Sequence, residues 1–458
     1  RQRGFQEAPT LAMTKKISKK AIMLDSEKNI SSNLFDAFHT SNSGRKGPVV
    51  LDFPMNIQRS EEIKSLANYP AYKIKKINYK KNYSLIKIVT ELKKAKKPVI
   101  LLGNGAHAIK NYSLLENLVK KIDAFVVTSF LGVGSYNTRD KRYIGYIGHV
   151  GHYAANIALA ESDFLIVLGS RLDIRQTGSE VNEFVKNGKI LLIDFDENEL
   201  DNTRVKPDWK IHDDINNFLK KIDILLQNYQ NTKDKKWGKN ILKLKRLRLD
   251  DQQIPKNNNI HPRVFLDEFE AQTKAIDTIV VTGVGLHQHW TARHLSYKPK
   301  KKIFVSSSGH GAMGFDLPSS IGAAILHPEK LIICIVGDGS ILMNIQELAS
   351  IKERGLNLKI IVLNNSRLGI VSQFQKITFA NDPSTGDLKK LNFKNISSGF
   401  GIDSKQLIEK KDIQRKIKWL LSKSGPQLLD VTIDHDANLI PMLLAGRTMD
   451  DMWMGYED

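Results

Sequence analysis

Short runs of almost uninterrupted apolar residues recur along this sequence, each closing on a glycine, a threonine or a polar residue. In the first half they are Pro98-Val-Ile-Leu-Leu-Gly103, Ala124-Phe-Val-Val-Thr128, Phe164-Leu-Ile-Val-Leu-Gly169 and Ile190-Leu-Leu-Ile-Asp194. In the second they are Thr278-Ile-Val-Val-Thr282, Ile303-Phe-Val305, Leu331-Ile-Ile-Cys-Ile-Val336, Leu358-Lys-Ile-Ile-Val-Leu363 and Gln427-Leu-Leu-Asp-Val431. A strand with one face in water alternates apolar and polar residues. These do not, so both of their faces must be covered, and the covering material is the helix-period sequence between them. The expected fold is α/β, with serial doubly wound parallel-sheet domains.

At roughly 150 residues per domain, 458 residues suggest about three. Lysine-rich stretches mark the divisions. Residues 1–58 end in Gly47-Pro-Val-Val-Leu-Asp-Phe-Pro54, a short strand between turn residues, and are too few for a whole domain. A linker is expected over 59–84, a central domain over 85–228, a second linker over 229–262 and a final domain over 263–458. With 69 Lys+Arg against 49 Asp+Glu, the net charge is +20, which raises nucleic-acid binding as one reading. The lysines concentrate, however, in Lys73-Ile-Lys-Lys-Ile-Asn-Tyr-Lys-Lys-Asn82 and in residues 233–248, so solvated linkers are the plainer reading. The single cysteine, Cys334, sits inside an apolar run and excludes a disulfide framework. A soluble, cytoplasmic protein is expected.

In doubly wound sheets, ligands bind beyond the carboxyl ends of strands, where loops meet helix N-termini. After Val336 comes Gly337-Asp-Gly-Ser340; after Leu363 comes Asn364-Asn365. Two strand ends of one crossover unit therefore present Asp338 and Asn365. A carboxylate and an amide oxygen are hard ligands suited to Mg²⁺. Gly339 and Ser340 offer a backbone N–H and a hydroxyl to a phosphate. For either fragment alone the plainer reading is Asp-Gly as a turn and Asn-Asn as a polar strand exit. The two together resemble the thiamine-diphosphate motif, which begins GDG and ends NN at this separation. That resemblance implies a metal held by Asp338, Asn365 and the backbone carbonyl of Arg367, with Gly337, Gly339 and Ser340 beside the cofactor.

Two further segments extend the likeness to acetolactate synthases. In Ser306-Ser-Ser-Gly-His-Gly-Ala-Met-Gly-Phe-Asp-Leu-Pro-Ser-Ser-Ile-Gly-Ala-Ala324 the resemblance implies that Met313 props the bent cofactor. It further implies that the Gly311 carbonyl accepts from the cofactor's amino group. Core packing is the alternative for Met313, and His310 reads as substrate-facing or as an ordinary loop residue. Gly283-Val-Gly-Leu-His-Gln-His-Trp290 is similar to the GVGQHQMW segment and offers Gly285, His287 and Gln288 to the diphosphate. Its histidines could also suggest zinc, but no acidic partner or HExxH spacing accompanies them.

The resemblance runs over nearly the whole chain. Thr128-Ser-Phe-Leu-Gly-Val-Gly134, Gly145-Tyr-Ile-Gly-His-Val-Gly151 and Gly169-Ser-Arg-Leu-Asp-Ile-Arg-Gln-Thr-Gly178 look like flavin-contacting loops. They imply Arg171 as an FAD contact and Arg175 as a fork for the acceptor's carboxylate. Gln6, within Phe5-Gln-Glu7, falls in a segment similar to the end of the pyrimidine-binding domain and is implied on the catalytic side. The departures are Phe374 for a tryptophan, Met55 for a lysine, Ile174 for the second aspartate of FDDR, and Val150 for a histidine. The implied activity is decarboxylation of a pyruvate-like 2-keto acid with transfer of the two-carbon unit to a second 2-keto acid, using thiamine diphosphate, Mg²⁺ and, as one option, FAD. A simple decarboxylase or lyase, or a non-catalytic subunit, are the alternatives. The family places its active site between subunits, which implies a homodimer or homotetramer. It also places a cofactor-activating glutamate in the pyrimidine domain ahead of the segment where Arg1 stands. This chain alone is therefore expected to bind cofactor weakly and to be nearly inactive.

Overall fold

A computed structural model describes residues 4–60, 84–379 and 386–455. The chain divides into two compact units, Arg1–Lys81 and Asn82–Asp458. The expected linker over 59–84 lies almost wholly outside the described residues.

In the first unit, β1 (Lys20–Met23) and β2 (Val49–Asp52) pair in parallel through the helix Ile30–Asn42. Leu24, Ile30, Ala37 and Ile57 are buried in it, whereas Met13, Ile17 and Phe38 are exposed.

The second unit holds two six-stranded parallel sheets. The central sheet contains β3 (Pro98–Leu102), β4 (Phe125–Thr128), β5 (Tyr143–Tyr146), β6 (Phe164–Leu168), β7 (Lys189–Asp194) and β8 (Trp209–His212), in the order β5-β4-β3-β6-β7-β8. The C-terminal sheet contains β9 (Thr278–Thr282), β10 (Lys302–Ser306), β11 (Leu331–Gly337), β12 (Leu358–Asn364), β13 (Asp403–Leu407) and β14 (Gln427–Thr432), in the order β10-β9-β11-β12-β14-β13. Every residue of β3, β4, β6, β9 and β12 is buried. Helices on both faces build one apolar core on each side of each sheet.

Each order reverses beside its first strand, and the C-terminal sheet turns back once more at its far edge, where β14 inserts between β12 and β13. The central sheet grows from β3 through β4 to β5 and then resumes on the other side of β3 with β6. The C-terminal sheet grows from β9 to β10 and resumes beside β9 with β11. A reversal of this kind separates neighbouring loops above the carboxyl ends and opens a crevice. The crevices therefore lie between the exits of β3 and β6 and between those of β9 and β11.

The segment expected as a second solvated linker is different. Residues 235–245 form the helix Lys235–Lys245, capped by Asp234, whose side chain accepts from Trp237 N at 2.8 Å. Trp237 and Ile241, one helical turn apart, are buried in the central core, with the Trp237 ring 5.1 Å from that of Phe125. Lysines on the outer positions mask the apolar stripe in composition, but the i, i+4 spacing puts both apolar side chains on one face. Further on, Asp250 is buried beside His294, 3.1 Å away, and Arg293. Burial would push its carboxyl up, but these neighbours outweigh it and hold it at about 2. The connection is thus anchored to both sheets.

Candidate functional site

The β9/β11 crevice is where the sequence motifs meet. Strands β11 and β12 pair with Gly337 opposite Leu363, so Asp338 and the Asn364-Asn365 pair leave adjacent strands at the same level. Asp338 is buried. Its Oδ1 accepts from Gly339 N at 2.9 Å and its Oδ2 from Arg367 N at 3.2 Å. Burial pushes the carboxyl up to about 6, and the backbone N–H donors offset part of that rise. Ser366, at φ 55°, turns the chain so that the Arg367 backbone faces Asp338. The Arg367 side chain goes elsewhere, to Asp387 and Asp436. Asn365 is buried and its carbonyl faces His435 Nδ1 at 2.8 Å. The neighbouring Asn364 is engaged within the sheet, where its amide donates to Asp430 and Leu391 and ties β12 to β14.

Among the described residues no group of three or more His, Cys, Asp or Glu could hold a metal. A cation at Asp338 would thus draw on one carboxylate plus amide and peptide oxygens. That donor set suits Mg²⁺, which takes hard oxygens and keeps part of its shell for phosphate.

Across the crevice, Gly285 has φ 154° and starts the helix Leu286–His294. A Cβ on Gly285 or on Gly337 would come within 2.7 or 2.8 Å of His287 Nδ1, so both positions exclude a side chain. His287 is buried between them, with Nε2 lacking a hydrogen-bond partner. A Cβ on Gly339 would strike Leu368 and sit 3.6 Å from Met313 Cε, which brings Met313 to the β11 exit. Gly311, at φ 82°, has open space around it. The close backbone approach at Gly285, Gly337 and Gly339, with His287 Nδ1 turned to it and open space at Gly311, fits an anionic group met by backbone N–H groups.

Two polar residues offered to the diphosphate are engaged inside the protein. Gln288 is buried, and its Oε1 accepts from Ser306 and Ser308 at 3.4 Å. Ser340 donates its hydroxyl to Asp316 Oδ2 at 2.5 Å and accepts from Gly314 N at 3.0 Å. Asp316 escapes a reading of sequence because Asp-Leu-Pro has the look of a helix start. The helix Asp316–Leu326 does begin there, but its N-cap is Phe315, and the carboxylate is turned to neighbouring loops.

At the central crevice Arg171 and Arg175 are exposed. Asp173 caps the turn Ile174–Thr177 and accepts from Arg175 N at 2.9 Å. Arg175 also bears on the C-terminal sheet's helix. Burial lowers the pKa of His289 well below the usual imidazole range, and the charges of Arg293 and Arg175 add to this; His149 is lowered by burial and Arg175 as well. Gln6 lies in the first unit, exposed, at φ 64°. His310 is exposed, as are Met55, Ile174 and Phe374, whereas Val150 is buried.

The crevice, its oxygen ligands and its glycine walls define a thiamine-diphosphate-binding enzyme. Residues 283–431 match the family "Thiamine pyrophosphate enzyme, C-terminal TPP binding domain", and residues 85–222 match "Thiamine pyrophosphate enzyme, central domain". The chain is 32% identical over 454 residues to the acetolactate synthase large subunit of Lactococcus lactis, covering 98% of this chain and 77% of that protein. Against the chloroplastic acetolactate synthase of Arabidopsis thaliana it is 31% identical over 462 residues, covering 98% and 68%. Against the isozyme 2 large subunit of Escherichia coli it is 29% identical over 458 residues, covering 98% and 80%. The chain belongs to the acetolactate synthase large-subunit family of thiamine-diphosphate enzymes.

Proposed function

We propose that this protein decarboxylates a pyruvate-like 2-keto acid and transfers the two-carbon unit to a second 2-keto acid. The observation that carries this reading is the convergence of the Asp338 carboxylate, Asn365 and the Arg367 backbone at adjacent strand ends, facing a glycine-walled crevice that holds His287. Thiamine diphosphate, when bound, supplies the electron sink that accepts the pair released with carbon dioxide. Asp338, Asn365 and the Arg367 carbonyl would hold Mg²⁺ against the diphosphate. Met313 would prop the cofactor from below, and the Gly311 carbonyl, on a loop with open space, would orient its amino group. The exposed Arg175 offers a fork suited to the carboxylate of the acceptor.

The finer assignments belong to the same proposal. FAD would lie outside the packed seam, beside the exposed Arg171 at the carboxyl end of the central sheet; the strand order there, 3-2-1-4-5-6 by position in the sheet, is that of dinucleotide-binding sheets. Gln6 would act from the first unit in a homodimer or homotetramer. A role in branched-chain amino acid synthesis fits the relatives' names, and a reducing cytoplasm suits a chain whose one cysteine is buried. The test is product identification from pyruvate with the purified full-length protein, thiamine diphosphate and Mg²⁺, alongside its absorbance spectrum. Acetolactate is the expected product. Acetaldehyde in its place would replace the carboligase with a lyase, and no carbon dioxide release at all would overturn the reading. A flavin band in the visible spectrum is the expected sign of FAD.

A further inference from the structure

One buried carboxylate at the β9/β11 crevice has no part in the assignments above. Asp316 is 1% exposed. Its Oδ1 accepts from Gly283 N and lies 3.4 Å from His287 Nε2. Its Oδ2 accepts the Ser340 hydroxyl at 2.5 Å. Through Ser340, whose Oγ accepts from Gly314 N at 3.0 Å, the link returns to the loop that carries Met313. Asn344 holds the same loop from the other side, donating to Gly314 O at 2.7 Å. A single side chain thus joins the exits of β9, β10 and β11. A Cβ on Gly283 would overlap the carboxylate, so glycine is required where the β9 loop passes it.

An ionised carboxylate in the interior is tolerated only when donors surround it, and hydrogen bonds to a charged acceptor are stronger than neutral ones. Here the donors, Gly283 N and the Ser340 hydroxyl, come from the β9 and β11 exits and the carboxylate from the β10 loop, so the spacing of the three loops is fixed by the size of one carboxylate. The contacts also fix what the crevice can offer an anion. The Ser340 proton is committed to Asp316, and the imidazole is oriented with Nε2 toward Asp316 and Nδ1 toward Gly285 and Gly337. Any diphosphate there is met by backbone N–H groups and His287, in positions set by Asp316.

We infer that Asp316 is a positioning residue that sets the diphosphate-binding geometry by clamping the Gly283 loop, His287 and Ser340 together. The inference rests on the cofactor reading above and adds a residue to it. Its energetic signature is selective: the clamp acts on the diphosphate half of the cofactor and leaves recognition of the thiazolium and aminopyrimidine rings to Met313 and Gly311.

The test is titration of intrinsic tryptophan fluorescence of the full-length protein, in Mg²⁺, with thiamine diphosphate and in parallel with thiamine, which lacks the diphosphate. Asp316→Asn preserves shape but removes the charge and one acceptor, so the Ser340 link can persist only as a neutral bond of reversed direction, weaker than the charge-assisted one. The expected result is a tenfold or greater rise in the dissociation constant for thiamine diphosphate, with less than a threefold change for thiamine. Ser340→Ala breaks the same clamp from its other end and keeps the test available should Asp316→Asn fold poorly. Because both act on one link, the double variant should lose little more than the worse single variant. Equal thiamine diphosphate affinity in Asp316→Asn and the parent overturns the inference, as does a parallel loss for both ligands, which marks a general packing role. A parent that prefers thiamine diphosphate to thiamine by no margin overturns the cofactor reading itself, and the inference with it.

Discussion

At the switch point of the central sheet, Gly105 donates its N–H to Gly169 O at 3.0 Å, and a Cβ on Gly103 would overlap that same carbonyl oxygen. At the switch point of the C-terminal sheet, Asp316, His287, Ser340 and Asp338 converge as buried polar groups. Both sheets reverse beside their first strand, so topology gives each a crevice, but the second gathers buried ionisable side chains there while the first buries only the neutral pair Ser170 and Gln176. In the central sheet, loop backbones close on one another and the charged groups of the β6 exit loop, Arg171 and Arg175, stand outside. A reversal creates room; the residues at the strand exits decide whether that room becomes a packed seam or a charged site. The difference also divides the energetics. Substitution at the packed seam should cost stability, and substitution at the charged site should cost activity while sparing or raising stability.

The largest expected effect follows from Asp338. Replacing it with asparagine removes the one carboxylate available to the metal. Second-layer partners of metal ligands already contribute about 10–100-fold, so the loss of Mg²⁺-dependent product formation should exceed about a hundredfold. Stability should move the other way. The folded-state carboxyl titrates at about 6 against an ordinary 3.8, so the folded chain binds the proton more tightly than the unfolded chain does. Through this group, stability without metal falls as pH rises from about 4 to about 6, and at pH 7 the neutral amide should relieve on the order of 2 kcal/mol. Denaturant midpoints of the metal-free proteins at pH 7 check the sign; a lower midpoint for Asp338→Asn would break the comparison at its charged end.

Gly103→Ala tests the packed end. The methyl has no space beside the Gly169 carbonyl, and overpacking of this kind costs about 1–3 kcal/mol. The expected outcome is a lower urea midpoint with an undiminished Mg²⁺ half-saturation for the folded fraction. A change in Mg²⁺ half-saturation would show that the two crevices are not separable.

What could be read from the amino acids follows the same division. The interior strands announce themselves because burial on both faces leaves only apolar residues, as in β3, β6 and β11. Four strands are not evident in the sequence, β1, β5, β8 and β13, and each lies at the edge of its sheet. β8 and β13 are partly solvated and carry polar residues, Trp-Lys-Ile-His and Asp-Ser-Lys-Gln-Leu, whereas β5, Tyr-Ile-Gly-Tyr, is wholly buried but short and interrupted by glycine. The helix Lys235–Lys245 is hidden by its lysines, since composition averages over the two faces that the fold separates. In the site, Asp338 and Asn365 are legible because each stands at a strand exit. Asp316 is not, because its partners, Gly283 and Ser340, are 33 and 24 residues away along the chain. Only the strand order makes them neighbours.

A smaller effect is expected where the connection between the sheets is pinned. Burial raises the Asp250 carboxyl, but His294 and Arg293 outweigh it and hold the group at about 2 against an ordinary 3.8. Its folded pKa is depressed, so its contribution is present above about 4 and lost as pH falls toward 2, amounting to roughly 2 kcal/mol at neutral pH. Asp250→Asn should therefore lower the melting temperature at pH 7 and converge with the parent only as pH falls to about 2. A constant difference across that range would mean that shape, not charge, holds the connection.

The smallest effect is the most direct probe of communication between the two crevices. Arg175 stands on the β6 exit loop, yet its charge helps hold down the imidazoles of His149 and His289, the second of which belongs to the helix that follows the β9 turn. Arg175→Gln removes a nearby positive charge, and a like charge disfavours the protonated ring. The pKa of His149 should rise, by well under one unit because burial, the larger cause, is untouched. Histidine ring resonances followed by NMR across pH 4–8 would register the change. If His289 does not move with it, the Arg175 charge is screened from the C-terminal sheet, and the central crevice reaches the site through packing alone. If it moves, the exposed side of the central seam adds an electrostatic contribution to the site, and a substrate carboxylate pairing with Arg175 would carry that signal to His289 by neutralising the same charge.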